Sequence, residues 1–135
     1  MKRRSYLKSM LAAGAGLSAA STQVEAQTGG GPIVLYVDMP VDPAKEKQML
    51  KNFHEIFKPA AIKFPGYIDV KIVKIRKALQ GSAPAGVNYR FQLTYQSEEM
   101  RQKWIASDVH QKVWPTIENT LTTKDYTVLL CDSVS

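Results

Sequence analysis

Cysteine and histidine are scarce in this chain. Its 135 residues include one cysteine, Cys131, and two histidines, His54 and His110. A single cysteine cannot form a disulfide within the chain, so a hydrophobic core or a partner subunit must stabilise the fold. Cys131 lies in the apolar run YTVLLCD, which is typical of a buried strand. Neither histidine has a second ligand at zinc spacing, so we expect no metal site.

Strong charge and common catalytic loops are also missing. The chain carries 18 Lys and Arg against 12 Asp and Glu, a net charge of +6, but four of those cations and one acid lie in residues 1–26. The other 109 residues carry 14 cations and 11 acids, a net charge of +3. This weak charge gives no indication of nucleic-acid binding. The sequence also has no glycine-rich phosphate loop and no G-x-S-x-G nucleophile turn.

The first 26 residues have the three parts of an export signal. MKRRSYLK is basic, residues 9–20 are uncharged, and VEA at 24–26 resembles a signal-peptidase site. RRSYLK resembles the twin-arginine consensus, which directs the export of folded proteins. The apolar run is shorter than the roughly 20 residues that span a bilayer. We expect cleavage after Ala26, a flexible leader at 27–31, a domain at 32–135, no membrane anchor after cleavage, and a periplasmic or secreted location.

The rest of the chain alternates between strand and helix patterns. Asp42 and Pro43 are typical of a helix start, as N-cap and first helical residue. Met49, Phe53 and Phe57 follow at helical spacing. The patterns predict strands at about 32–41, 67–77, 88–95 and 126–131, and helices at about 43–58 and from Ser97 onwards.

The second strand changes its apolar phase partway along. Ile68, Val70 and Ile72 alternate with polar residues. Val73 and Ile75 then alternate with polar residues in the other phase. Because a one-residue slip turns every later side chain to the other face, we predict a β-bulge between Ile72 and Val73 or a strand buried on both faces.

The second helix contains an internal start signal. Ser97, followed by two acids, is its predicted N-cap. Ser107 in ASDVH resembles a second N-cap, so we expect a break there, and Pro115 predicts a kink because it lacks an N–H. His110 then lies in the first turn of the second part, where the positive helix end favours its neutral form.

The order strand, helix, strand, strand, helix, strand indicates an α+β, ferredoxin-like βαββαβ fold. It predicts an antiparallel sheet with both helices on one face. The off-phase apolar residues of the second strand, together with Tyr36 and Val37 on the first, leave apolar groups for both faces of the sheet. We therefore predict a homodimer in which two sheets pack face to face.

Two segments resemble a known family. FPGY before the second strand and MRQKWIASDVHQKVW on the second helix are similar to the antibiotic biosynthesis monooxygenase superfamily of dimeric α+β barrels. The resemblance covers residues 32–132. It implies either oxidation of polycyclic phenols by O2 without metal or flavin, or the binding and degradation of haem.

The haem-degrading branch uses an Asn on the first strand and a Trp and a His on the second helix. Trp104 matches that Trp, but the first strand offers only Tyr36 and Asp38 as polar groups. The haem ligand would fall at about Trp114, one helical turn after His110. We therefore expect no cofactor, with haem as the alternative.

The candidate residues follow from the resemblance and the strand phases. His110 is the predicted base towards a phenol, and Asp38 is the other candidate catalytic residue. The predicted substrate-binding residues are aromatic: Trp104, Tyr36, Phe91, Tyr95 and Trp114. Arg90 alternates with the aromatic residues of the third strand, so we predict that it points to the dimer side and forms an inter-subunit salt bridge. His54 is predicted to lie at the surface.

These features predict an exported, cofactor-independent monooxygenase that oxidises a small aromatic or quinol substrate with O2. Such chemistry needs an apolar pocket, one base, and groups that stabilise an anion. The alternatives are a dimeric module that binds a hydrophobic ligand without chemistry, and a haem-binding or haem-degrading protein. Fold resemblance alone does not separate them.

Overall fold

The computed structural model describes residues 31–134, so the predicted signal segment lies outside the described residues. The described chain folds into one antiparallel sheet with helices against one of its faces. The strands are β1 Ile33–Met39, β2 Tyr67–Lys74, β3 Tyr89–Tyr95 and β4 Thr127–Asp132. The α-helices are α1 Glu46–Asn52, α2 Lys58–Ala61, α3 Glu98–Ala106 and α4 Asp108–Glu118.

The sheet has the strand order β2-β3-β1-β4, and every neighbouring pair is antiparallel. Alternate side chains of the two central strands are buried under the helices: Ile33, Leu35, Val37, Met39, Tyr89, Phe91, Leu93 and Tyr95. This period of two is what a sheet covered on one face requires. The predicted α+β, ferredoxin-like fold is confirmed.

The first helical layer is continuous from the N-cap at Asp42 to α2. The Asp42 carboxylate accepts the backbone N–H of Ala44 at 2.9 Å, and a 3-10 turn at Pro43–Lys45 leads into α1. Residues Phe53–Phe57 form a wider, π-helical turn, in which the N–H of Lys58 donates to the carbonyl of Phe53. Pro59 follows and has no N–H to donate, so the irregular turn falls just before it. The helical path therefore continues past the predicted end at Lys58.

The β-bulge in β2 lies earlier than the sequence indicated. The pairing with β3 shifts between Tyr67 and Asp69, so Ile68 is the extra residue. Beyond it the pairing is regular, and only Val70 is fully buried. The predicted bulge at Ile72–Val73 is wrong, as is burial on both faces, because the strand keeps its register and leaves Val73 exposed on the open face.

The second helical layer is divided at Ser107, as predicted. Ser97 and Ser107 each cap a helix, because their hydroxyls accept the backbone N–H of Met100 at 3.2 Å and of His110 at 3.1 Å. Ser107 has extended backbone angles that interrupt the helical path. The following helix α4 continues through Pro115 to Glu118.

The FPGY turn before β2 depends on its glycine. Gly66 has a φ of 92°, in the left-handed region that favours glycine. A Cβ atom at this position would lie 2.6 Å from the Cβ of Met100 on α3. The turn and the second helical layer therefore pack against each other through a residue without a side chain.

The face of the sheet away from the helices is open in a single chain, and we call it the open face. It carries alternate residues of all four strands, among them Tyr36, Asp38, Arg90, Val73 and Leu129. Val73 and Leu129 are large apolar residues exposed on this face. Within residues 31–134, no helix is long and apolar enough to cross a membrane.

Candidate active site

A cavity of about 120 Å³ lies between the second helical layer and the sheet. Most of its wall is aromatic or aliphatic, and its charged or titratable members are few. The lining residues are Leu35, Val37, Phe57, Phe91, Leu93, Arg101, Trp104, Ile105, His110, Trp114, Tyr126 and Val128. The cavity is thus an apolar pocket with a small number of polar groups, which is typical of a small-molecule site.

Trp104 forms a fixed wall of the cavity. Its side chain is fully buried, and its ring centroid lies 5.9 Å from that of Phe57 and 5.2 Å from that of Phe64. The ring of His110 meets it edge-on, with 5.1 Å between the centroids. On a straight helix, residues six apart are rotated by about 240°, so their side chains point about 120° apart. The break at Ser107 brings these two side chains into one cavity.

His110 lies in the first turn of α4, next to the cap at Ser107. Its imidazole stacks on the indole of Trp114, with 6.3 Å between the centroids and 13° between the planes. Among the described residues the imidazole has no hydrogen-bond partner, so both ring nitrogens are free for a ligand. Burial lowers the pKa of His110, and the positive charge of Arg101 lowers it further. The sequence predicted a neutral histidine from the helix dipole, but burial is the main cause.

A hydrogen-bonded chain holds the opposite wall. The indole N–H of Trp114 donates to the hydroxyl oxygen of Tyr126 at 3.1 Å, and the Tyr126 hydroxyl donates to the Glu118 carboxylate at 2.6 Å. Burial and this bond to Glu118 raise the pKa of Tyr126 to about 12, so its hydroxyl stays protonated. Tyr126 was not predicted from the sequence, and its place at the entry to the last strand was the only available signal.

Arg101 is the cation of the cavity wall, and it was not predicted from the sequence either. Its guanidinium donates two hydrogen bonds of 2.7 Å to the Glu98 carboxylate, one to each oxygen. This paired fork keeps Arg101 in place one helical turn before Trp104. The available signal was the Glu98–Arg101 spacing of three residues on the helix that carries Trp104.

The structure brings four of the predicted site residues together. Phe91, Trp104, His110 and Trp114 all line the cavity. Tyr95 is buried on the same side of the sheet but does not line it, and its hydroxyl has no partner among the described residues. The functional roles of these residues stay predictions.

Tyr36 and Asp38 lie on the open face, so they cannot share the cavity with His110. They alternate with Leu35 and Val37, which point towards the helices. Asp38 is buried and pairs with Arg90 of its own chain at 2.7 Å. The assignment of Asp38 and Tyr36 to the pocket was therefore wrong, and Arg90, predicted to form an inter-subunit salt bridge, has a partner within its own chain. Strand alternation places Tyr36 and Asp38 on the open face, and Asp38 on the neighbouring strand β1 is the partner of Arg90.

The site does not fit haem. Four pyrrole rings lie in one plane in haem, whereas a cavity of about 120 Å³ is smaller than the roughly 150 Å³ that takes up a single benzene. His110 already stacks on Trp114 within this space. Apart from haem, whose iron needs only an axial ligand from the protein, residues 31–134 contain no group of three His, Cys, Asp or Glu side chains that could hold a metal ion.

Comparison with solved structures identifies the fold. The chain is similar to a dimeric ferredoxin-like protein of unknown function from Jannaschia sp. CCS1, with a TM-score of 0.62, 16% identity and coverage of 78% of this chain and 100% of that one. It is also similar to a candidate antibiotic biosynthesis monooxygenase from Caulobacter crescentus, with a TM-score of 0.61, 18% identity and coverage of 78% of this chain and 92% of that one. The hydroxynitrile lyase from Passiflora edulis matches with a TM-score of 0.61, 9% identity and coverage of 78% of this chain and 95% of that one. No protein-family model and no curated protein matches the sequence.

These matches define the class of protein by its fold. The chain is an α+β protein with a ferredoxin-like fold, of the architecture found in dimeric α+β barrel proteins. The similar structures include a monooxygenase candidate and a lyase on the same fold, so the fold leaves the chemistry open. Function must be argued from the cavity.

Proposed function

We propose that the protein is a cofactor-independent oxygenase that binds a small phenol or quinol in the cavity and oxidises it with O2. The observation that carries the proposal is His110. Its imidazole is favoured in the neutral form, has no partner among the described residues, and lies in a pocket walled by Trp104 and Trp114. A free neutral imidazole beside an apolar ring site is the arrangement that deprotonation of a phenol requires.

The reaction needs no external reductant. His110 accepts the phenol proton, and the electron-rich ring carbon of the phenolate bonds to O2. His110 returns the proton to the terminal oxygen of the resulting peroxide. The O–O bond then breaks as the ring C–H is lost, which gives a quinone and water. One oxygen atom enters the product, one leaves as water, and the substrate supplies all four electrons.

The protein contributes binding, orientation and a low-polarity environment. Trp104 and Trp114 supply flat surfaces for an aromatic ring. The charge of Arg101, which already disfavours imidazolium at His110, favours a phenolate in the same space. Exclusion of water strengthens this attraction.

A second candidate is a binding module without chemistry. Arg101 and Tyr126 are the other polar members of the wall, and both are already paired within the chain. The one cation among the described wall residues, Arg101, is already paired with Glu98, and the unpaired indole N–H of Trp104 is a neutral donor, so a developing anion would be stabilised only weakly. That observation favours ligand binding alone.

Oxygen uptake with simple phenols and benzene-1,4-diol distinguishes the two functions. We expect uptake by the wild-type protein and a loss of about 100-fold or more in His110→Ala, because removal of a general base has effects of that size. His54→Ala is the matched control, since His54 is exposed and lies outside the cavity. Binding without uptake would support the module, and equal uptake in both variants would refute the role of His110.

We also propose that two copies pair through the open face. Exposed apolar residues such as Val73 and Leu129 on that face support this arrangement, as does the fold shared with a dimeric ferredoxin-like protein. Such a dimer would cover Leu129 and Cys131 of β4.

Export by the twin-arginine pathway is a further proposal. It is supported by the RRSYLK run and the VEA site in the first 26 residues. Replacing Arg3 and Arg4 with Lys should leave the precursor in the cytoplasm, as judged by fractionation. Unchanged export of the variant would refute the assignment.

A further inference from the structure

The size of the cavity limits what can enter it. An apolar cavity of roughly 150 Å³ takes up one benzene molecule. The cavity here is smaller, about 120 Å³, but it opens to solvent, so a single six-membered ring fills it as far as its mouth. A ligand with two fused rings would need either a larger cavity or a second compartment beside it.

The inner walls have little room to retreat. Trp104 is fully buried between Phe57 and Phe64, with ring centroids 5.9 Å and 5.2 Å away. Trp114 is held by its bond to Tyr126, which is itself anchored on Glu118. Because interiors are close-packed, moving one of these rings displaces its neighbours as well.

The cavity reaches solvent past two exposed side chains. Ile105 at the end of α3 is 37% exposed, and Val128 on β4 is 50% exposed. Both line the cavity and mark its mouth. A second fused ring could extend only through this mouth, where it would push against Ile105 and Val128 and gain little from burial in return.

The polar groups select a hydroxyl on the bound ring. His110 is the one titratable wall residue that has no hydrogen-bond partner among residues 31–134, and its neutral form accepts one hydrogen bond. A phenol oxygen donates to that nitrogen, whereas an unsubstituted ring leaves it unpaired. The indole N–H of Trp104 is a further wall donor without a partner among the described residues, and it can donate to a hydroxyl oxygen but not to a bare ring edge.

We propose that the site selects monocyclic phenols and rejects fused-ring phenols. The inference rests on the proposed function, because it treats this cavity as the substrate site. It differs from the polycyclic phenols that the sequence resemblance implies. Three observations together support this selection: the small size of the cavity, the tightly packed aromatic walls and the exposed mouth.

Calorimetric titration without O2 tests the selection. We expect phenol to bind wild-type protein at least tenfold more tightly than 1-naphthol, although the larger ring system has more apolar surface. Ile105→Ala should widen the mouth and bring the ratio of the two dissociation constants close to one. Ile62→Ala is the matched control, because Ile62 is 49% exposed and does not line the cavity.

Three outcomes would overturn the selection: 1-naphthol binding as tightly as phenol in the wild type, a ratio unchanged by Ile105→Ala, or no binding of either probe. The chemistry is judged separately, since the titration requires no turnover. Retained selection in a protein that consumes no oxygen would refute the oxygenase and leave the size selection intact.

Discussion

At the scale of single residues, His110 connects the site to stability. Its pKa is lower in the folded chain than the ordinary value of 6.5, so the unfolded chain binds the proton first as the pH falls. The stability that the neutral form of His110 contributes to the fold is therefore complete above pH 6.5 and is lost progressively below it. Glu46 and Glu98 have pKa values lowered from 4.5, so their losses begin at more acidic pH.

We predict that the free energy of unfolding falls as the pH decreases from 7.5 to 5.5, and that His110→Gln reduces this slope. Urea unfolding at intervals of half a pH unit measures it. His54→Gln is the control and should keep the wild-type slope, because His54 is exposed. A slope that survives in His110→Gln would show that another group titrates in this range.

Gly66 is a second residue whose role is local. Gly66→Ala should destabilise the fold by roughly 1–3 kcal/mol through its left-handed backbone, with an added cost from the contact with Met100. Gly81→Ala separates the two effects, because Gly81 has a φ of 73° but a Cβ atom added there would have nothing within 4 Å. Thermal unfolding should show the larger loss for Gly66→Ala. Equal losses would mean that Met100 moves aside without cost.

Part of the site could be predicted from the sequence at this scale. Trp104 on α3 and His110 and Trp114 on α4 were proposed from the family resemblance and residue type, and the second cap at Ser107 was the local signal that brings them together. Tyr36 and Asp38 were misplaced because Tyr36 and Val37 are both apolar enough to face a core, and the sequence did not decide the phase. Arg101 pairs with Glu98 on its own helix, but that Arg101 and Tyr126 line one cavity depends on how the helices pack on the sheet, which no local pattern contains.

At the scale of elements, the break at Ser107 shapes the site. We predict that Ser107→Ala costs about 1 kcal/mol of stability and also weakens phenol binding, because the cap fixes the first turn that carries His110. Ser97→Ala removes a matching cap from α3 and should cost a similar amount. Ser97→Ala should leave phenol binding unchanged, as measured by calorimetry. Equal effects of both variants on binding would show that the cap acts only on stability.

The elements themselves were largely predictable, and the exceptions have physical reasons. The apolar run of β1, the alternation in β3 and the caps at Asp42, Ser97 and Ser107 determine local structure directly. The bulge at Ile68 and the π-helical turn before Pro59 were not predicted in place. Both depend on how a neighbouring element fits, since a strand can keep its register by exposing an apolar residue such as Val73.

At the scale of the whole molecule, the open face is the uncovered half of the architecture. The helices cover one face of the sheet, while the other exposes Val73 and Leu129 around the buried Asp38 and its partner Arg90. The edge strand β4 adds exposed apolar residues on both of its faces. A second copy on the open face would remove this surface from water, whereas binding a ligand in the cavity would leave it exposed.

Two neighbouring leucines of β4 test this pairing. Leu129 is 47% exposed on the open face, and Leu130 is 50% exposed on the face that carries the helices. We predict that the wild-type protein sediments as a dimer at micromolar concentration. Leu129→Glu should give monomers, because it places a charge in the proposed contact. Leu130→Glu should remain a dimer, since it adds the same charge to the same strand outside that contact. Dissociation by Leu130→Glu alone would assign the contact to the helix side of β4, and a wild-type monomer would refute the dimer.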